Sequence, residues 1–242
     1  MSDLPIVVCD VETTGLSDSL HRVIEVSYSR ITNGGWDEFS IKTFRFELSK
    51  LDYARGEPRA YGVNGYRRGH PDWVGAPLLD TPEAWEVWAT IRQELTSVIL
   101  LNQNVKFDEK FLLAEMSRHS KRALDEPPWH NYTWEIGAFT RQHMKTAGLK
   151  GWALHKAYDV IGGPPLPRHR AEADVMRAIW VLAEGMLRFP KTWTDFKMDA
   201  EAAKAAVIRW AEARKMEGEP EEVPLAPVEV LAAPYGEGTP TG

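Results

Sequence analysis

The sequence predicts an α/β protein built on a mixed β-sheet with helices on both faces. Three observations lead there. Strand-like segments open the chain before any helical period begins, and strand and helix patterns then alternate toward the C-terminus. Between them, "SVILLNQN" at 97–104 contains a short, wholly apolar run typical of a strand covered on both sides.

Each element follows from its own pattern. "LPIVVCDVE" reads as a buried strand, and "HRVIEVSYSRI" alternates well enough to be a second. "TNGG" at 32–35 marks a tight turn into "WDEFSIKTFRFEL", which closes an antiparallel hairpin. Residues 49–80 break the pattern with Gly, Pro and aromatic residues and read as a long connection. In "DTPEAWEVWATIRQEL", Thr81 is a natural N-cap and Pro82 fits the first helical position. The apolar strand at 97–104 leads into a helix from about Asp108 to His119. "NYTWEIGAFTRQHM" reads as a short strand entering a helix, "LKGWALHKAYDVIG" as a further helix, and "GGPPLPRHR" as a rigid, non-helical approach. In "AEADVMRAIWVLAEGM", Val175, Ile179, Leu182 and Met186 share one helical face. A last helix spans roughly 192–216, and no internal repeat is present.

Composition narrows the class. Of 242 residues, 43% are hydrophobic and 26% charged, ordinary for a globular chain, and no window has the unbroken apolar length of a membrane span. "MSDLPIVVCD" has neither a basic leader nor a small-residue cleavage site, so a cytoplasmic location is expected. The single cysteine, Cys9, excludes an internal disulfide and a cysteine-built zinc site. The net charge of -6 lies entirely in the tail: residues 217–242 hold six acids and no Lys or Arg, which leaves 29 basic and 29 acidic groups before them. With five prolines and four glycines, that tail is expected to be disordered.

The chemistry is concentrated in a few acids. Side chains alternate across a strand, so Asp10 and Glu12 in "DVETTGL" point to the same side. Two carboxylates held that close repel, and burying them requires water or a cation. A bare D-x-E is otherwise only a strand emerging into solvent. "DVETTGL" resembles the first motif of the DnaQ-like, or DEDD, family of 3′-to-5′ exonucleases, and two further segments match in the family's order. "NVKFDEKFL" resembles the second motif, with Asp108 as its acid, and "HRAEAD" resembles H-x-A-x-x-D of the histidine (DEDDh) subclass, with His169 and Asp174.

The resemblance implies a ribonuclease H-like exonuclease fold with a five-stranded mixed sheet, spanning residues 1–190 and followed by the C-terminal helix at 191–216. It also implies a site in which Asp10, Glu12 and Asp174 cluster around two metal ions, while Asp108 holds the outer ion through water. Four carboxylates without soft ligands suit Mg²⁺ or Mn²⁺ rather than zinc. Two such ions about 3.5 to 4 Å apart stabilise the attacking and departing oxygens of an in-line displacement. His169 lies five residues before Asp174, about 140° away on a helix, so the two would diverge if both were helical. Pro167 places the histidine in the approach loop, where its imidazole suits a general base. His21, His70, His119, His130, His143 and His155 have no comparable context, and Tyr158 lacks the acid four residues on that the tyrosine subclass carries.

For substrate, the resemblance implies that Thr13, Thr14 and Gly15 lie against the terminal nucleotide and Leu16 wedges against its base. Asn104 opens the second motif and completes the substrate-binding set. Arg141, Lys145, Lys150, Lys156, Arg168 and Arg170 form a basic run that would attract a phosphate backbone. "YARGEPRAYGVNGYRRGHPDW" interleaves basic and aromatic residues, as a stacking platform for single strands does, although an ordinary loop beside the sheet reads the same way. Two positions depart from the family pattern: Gln103 stands where a histidine is common, and Thr133-Trp134 where Asp-Thr is common. The expected activity is metal-dependent 3′-to-5′ hydrolysis of single-stranded or frayed DNA, as in proofreading beside a DNA polymerase. A trimming exoribonuclease and a non-catalytic scaffold of the same fold are the alternatives.

Overall fold

Alternate residues of the opening strand are divided between two cores. In the computed structural model, which describes residues 4–32, 35–36, 40–120, 124, 126–137, 140–141, 145, 153–167, 169–189 and 198–217, β1 (Ile6–Thr13) sends Val7, Cys9 and Val11 into one core and Ile6 and Val8 into the other. The sheet continues with β2 (Val23–Thr32), β3 (Gly35–Trp36), β4 (Lys42–Arg45), β5 (Ile99–Asn102) and β6 (Trp134–Glu135). Its order is β3-β2-β1-β5-β6, with β4 also paired to β2. β3 pairs with Ile31 and Thr32 while β4 pairs with residues 25–28, so the two lie end to end along one edge of β2. The expected five strand positions are thus filled by six segments. β1 runs antiparallel to β2 and parallel to β5, and β5 runs parallel to β6.

One face is covered by α3 (Pro82–Glu94) and α4 (Val105–Arg118), which contribute Trp88, Ile91, Phe111 and Leu112 to the first core. The other is covered by α5 (Leu154–Val160), α6 (Ala171–Arg188) and α7 (Ala200–Glu217). β5 meets both cores, with Leu100 in one and Ile99 and Leu101 in the other, which explains its unbroken apolar character. Thr81 caps α3 from its side chain, as its sequence requires.

Three expectations are corrected. The second-motif helix starts at Val105 rather than Asp108, because Asn104 turns through the left-handed region (φ 62°) and Glu135 of β6 accepts from the Asn104 and Val105 N–H groups at 2.7 and 3.3 Å. The last helix starts at Ala200, where Asp199 accepts from the Ala202 N–H at 3.0 Å; residues 191–197 lie outside the described residues. The 49–80 connection is not open loop: it folds into α1 (Lys50–Arg55), α2 (Pro58–Asn64) and a 3₁₀ turn at Pro71–Trp73. Its Tyr61, Tyr66 and Trp73 are buried in mutual ring contacts, so they cannot serve as a stacking platform.

α7 packs along α6 in the same core through Ala203 and Val207, and Met198 just before it joins them. It also grips α6 by charge. Arg214 reaches both oxygens of Glu172 at 2.8 Å, and Lys204 meets Glu184 at 2.7 Å. The tail at 218–242 lies outside the described residues, and among those described no helix is long and apolar enough to cross a membrane.

Candidate active site

β5 stays beside β1 only as far as Val8, so beyond that point the edge of β1 is open. Side chains complete the backbone pairing there. Asn102, the last residue of β5, donates from its amide to the Cys9 carbonyl at 2.7 Å and to Asp10 Oδ1 at 2.8 Å. Asp108 reaches round from α4 on the opposite face and accepts from the Val11 N–H at 3.1 Å. On the other edge, the β1–β2 register shifts between Glu12 and Thr13 and ends the regular ladder at the acids.

Asp10 and Glu12 lie on the same face as Ile6 and Val8, the face that α6 covers. Asp174, in the first turn of α6, meets them there: Asp10, Glu12 and Asp174 each present an oxygen, and the three lie within 4.8 Å of one another. Asp108 stands just outside this cluster. His169 precedes α6, not on it, with φ 53° in the left-handed region, and its ring lies edge-on to that of His155 at 6.3 Å. The four acids read from the three motifs therefore meet at the end of β1, and His169 stands just ahead of the helix that carries Asp174.

The electrostatics of the cluster call for a cation. Burial pushes the Asp10 carboxyl up, and Asp108, Asp174 and Glu12 push it further, against the hydrogen bond from Asn102. Burial raises Glu12 as well, assisted by Asp174 and Glu25 and opposed by Arg170. Asp108 is raised by burial despite the Val11 N–H, with Asp174 and Glu135 adding to it. Among the described residues no ion pair reaches Asp10, Glu12 or Asp108. An all-oxygen donor set whose negative charge Arg177 and Arg170 offset only in part fits hard divalent ions. Cys9 takes no part; burial, then Asp108 and Asp10, push its thiol up and leave it an inert core residue.

The remaining site residues divide by exposure. The Thr13 hydroxyl donates to the Gly15 carbonyl at 2.7 Å, and Thr14 Oγ1 accepts from the Arg22 N–H at 2.9 Å, so both hydroxyls turn inward. Gly15 lies against His21: a Cβ there would sit 2.4 Å from His21 Nδ1. Leu16 projects from this turn, 70% exposed. α4 holds the turn from below, with Lys110 donating to the Leu16 carbonyl at 3.3 Å and Arg118 to the His21 carbonyl at 3.2 Å. Asn104 is exposed at the start of α4. Of the basic run, Arg141, Lys145 and Lys156 are exposed, Lys150 and Arg168 lie outside the described residues, and Arg170 turns inward. Tyr158 is structural, its hydroxyl donating to the Pro164 carbonyl at 2.7 Å.

Three neighbours escaped sequence reasoning. Asn102 ties the acidic end of β1 to β5. Arg177, 3% exposed, donates to Asp174 Oδ1 at 2.6 Å and to the Leu166 and Pro167 carbonyls at 2.8 and 2.5 Å, joining the acid to the loop that carries His169. Glu25 stands directly opposite Glu12 across β1 and β2, fully buried. The spacing of Asp174 and Arg177, one helical turn apart, is the only sequence signal that any of them carries.

Comparison with known proteins agrees with this geometry. A family model described as an exonuclease, RNase T type, matches residues 7–182 and so includes every acid of the site. The fold is similar to that of exonuclease I with bound product (18% identity, TM-score 0.58, 80% of this chain and 46% of that one). It is also similar to E. coli exonuclease I with single-stranded DNA and zinc (18%, 0.60, 80% and 42%), and with a dT13 oligonucleotide (18%, 0.60, 79% and 43%). At this identity the likeness is one of fold, and the chain spans less than half the length of those proteins. No curated protein sequence matches it. With a family match over residues 7–182 and the matching fold, the chain belongs to the exonuclease family of the RNase T type, within the DnaQ-like 3′-to-5′ exonucleases.

Proposed function

We propose that this chain hydrolyses phosphodiester bonds at the 3′ end of single-stranded or frayed DNA, releasing nucleoside monophosphates, as a member of the DEDDh subclass. The observation that carries the proposal is the convergence of Asp10, Glu12 and Asp174 within 4.8 Å, with Asp108 behind them and His169 just ahead of α6. Asp10, Glu12 and Asp174 would hold Mg²⁺ or Mn²⁺, two ions in all, with Asp108 on the outer one. When bound, such ions offset the charge that develops on the attacking and leaving oxygens of phosphoryl transfer.

The chain's own groups do the rest. Asn102 fixes the Asp10 carboxylate, and Arg177 fixes Asp174, so the donor set is oriented before any ion arrives. The His169 imidazole accepts the proton of the attacking water, a role that its place in the approach loop and the chemistry of a neutral imidazole suit. Leu16 offers an exposed apolar edge to the terminal base, and the backbone of Thr13–Gly15, whose side chains face inward, leaves room for the 3′-terminal sugar. DNA is favoured because the fold resembles exonuclease I seen with DNA oligonucleotides. Proofreading beside a DNA polymerase in the cytoplasm is the corresponding role.

The test uses end-labelled single-stranded DNA and RNA oligonucleotides with Mg²⁺, Mn²⁺ or EDTA. Metal-dependent, stepwise loss of single nucleotides from the 3′ end of DNA is the expected result. Preferential trimming of RNA would move the assignment to an exoribonuclease, and no turnover by a folded sample would reduce it to a scaffold.

A further inference from the structure

Two consecutive residues of the third motif adopt locally unfavourable states. His169 takes a positive φ of 53°, a left-handed backbone that a side-chain-bearing residue adopts only at a cost. Arg170 occupies the N-cap of α6 without a side-chain capping bond. That position favours Ser, Thr, Asp or Asn, and a cation there faces the positive end of the helix dipole. Local preference does not explain this backbone; tertiary contacts must hold it.

Those contacts meet on one guanidinium. Arg170 Nη1 lies 2.8 Å from Asp72, Nη2 lies 3.5 Å from Glu25, and the guanidinium carbon sits 4.7 Å above the Trp73 ring. Each partner is itself fixed. Asp72 and Trp73 belong to the Pro71–Trp73 turn, and the Trp73 indole donates to the Ile24 carbonyl at 3.3 Å. Glu25 is fully buried on β2, where Arg45 takes the same carboxylate oxygen at 3.1 Å. A planar fork that pairs with carboxylates at its edge and stacks on an indole with its face is a geometry lysine cannot reproduce.

The consequence falls on the residues beside it. The Arg170 carbonyl accepts from the Asp174 N–H at 2.9 Å, forming the first bond of the helix that presents that acid. Upstream, Arg177 anchors the carbonyls of Leu166 and Pro167. His169 therefore sits between two tied-down points, one on α6 and one on the 70–73 turn. We propose that Arg170 is a positioning residue, which docks the His169 segment onto the Asp72–Trp73 turn and so sets where the imidazole stands. The proposal rests on His169 acting as the general base. It also gives the Pro71–Trp73 turn a role other than binding nucleic acid, that of bracing the third motif.

The test compares Arg170→Gln, Arg170→Lys and Asp72→Asn in the full chain, with and without His169→Ala. Kinetics are measured on a single-stranded DNA oligonucleotide, and amide hydrogen exchange on the metal-free protein. Arg170→Gln is expected to lower kcat about 10- to 100-fold with KM held within about threefold, the scale of a misplacement of about 1 Å at a reacting group. Arg170→Lys recovers part of that loss, and Asp72→Asn, which leaves Glu25 paired, reproduces part of it. At saturating metal, Arg170→Gln in the His169→Ala background has no further effect on kcat, and exchange quickens over residues 166–174 and the Pro71–Trp73 turn that Arg170 joins, without change elsewhere. An equal loss in the His169→Ala background, or unaltered exchange over 166–174, overturns the proposal. Were His169→Ala as active as the parent chain, the general-base reading would fail by itself, and the exchange measurement would still decide the docking.

Discussion

Replacing Asp10 with Asn should stabilise the metal-free protein while destroying its response to metal. The three converging oxygens lie within 4.8 Å of one another, and two unit charges at that separation repel by about 3.5 kcal/mol at an effective dielectric of about 20. Protonation relieves part of this, because the carboxyls of Asp10, Glu12 and Asp108 are all raised, by burial first and by one another next. About half of one pair, about 2 kcal/mol, is a fair measure of what Asn relieves at about pH 7.5. For a chain of this size that gain raises Tm by about 4 to 8 °C. Asn keeps the oxygen that accepts from Asn102, so no hydrogen bond is lost in exchange.

The pH dependence follows in sign. Carboxyls raised on folding bind protons more tightly in the folded state, so their contribution is complete below about pH 4 and is lost as pH climbs through the raised values. Metal-free parent protein should therefore melt at lower temperature at about pH 8 than at about pH 5, with a shallower decline in Asp10→Asn. Divalent ions at about 100 times their Kd add about 2.7 kcal/mol to the parent chain, a gain the variant forfeits. Thermal melts in EDTA, MgCl₂ and MnCl₂ measure all three effects. A lower Tm for Asp10→Asn in EDTA, or an undiminished rise with metal, would refute the reasoning without reference to catalysis.

Other substitutions separate the roles. His169→Ala should slow turnover about 10²- to 10⁴-fold yet leave the metal-dependent rise in Tm intact, which kinetics and melts on one sample would establish. Leu16→Ala removes a side chain 70% exposed, so stability should hold within about 0.5 kcal/mol, while KM for oligonucleotides rises about five- to tenfold if the side chain stacks on a base. Gly15→Ala drives a methyl to 2.4 Å from the His21 ring, which itself accepts from the Ser17 N–H at 3.0 Å; a loss of about 1 to 3 kcal/mol and a higher KM are expected from denaturant titration and kinetics.

Much of the site was legible because its signals are local. A period of two put Asp10 and Glu12 on one side of β1, and the prolines before His169 kept it off α6. What escaped was register. Glu25 reads as one more polar position in "VIEVSYSRI", and nothing in that alternation says it will face Glu12 across the sheet. Asn102 is equally silent, since its partners at residues 9 and 10 are more than 90 positions away. The 49–80 connection reads both as a stacking platform and as an ordinary loop beside the sheet, and only the first of these fails. Helices of six and seven residues are too short to declare a period, so mixed basic and aromatic residues suggested a surface where Tyr66 and Trp73 are in fact interior. The early start of α4 came from Glu135, supplied by a strand 30 residues downstream.

The grip of Arg214 on Glu172 bears on how this chain could be cut or transplanted. The family match stops at residue 182, yet the helix presenting Asp174 is backed by Ala203 and Val207 and clasped two positions before that acid by residue 214. A recombinant catalytic unit trimmed to the shared segment would carry every motif and still bare the rear of its own third motif to water. The edge of family likeness is not, for this chain, a seam along which it comes apart.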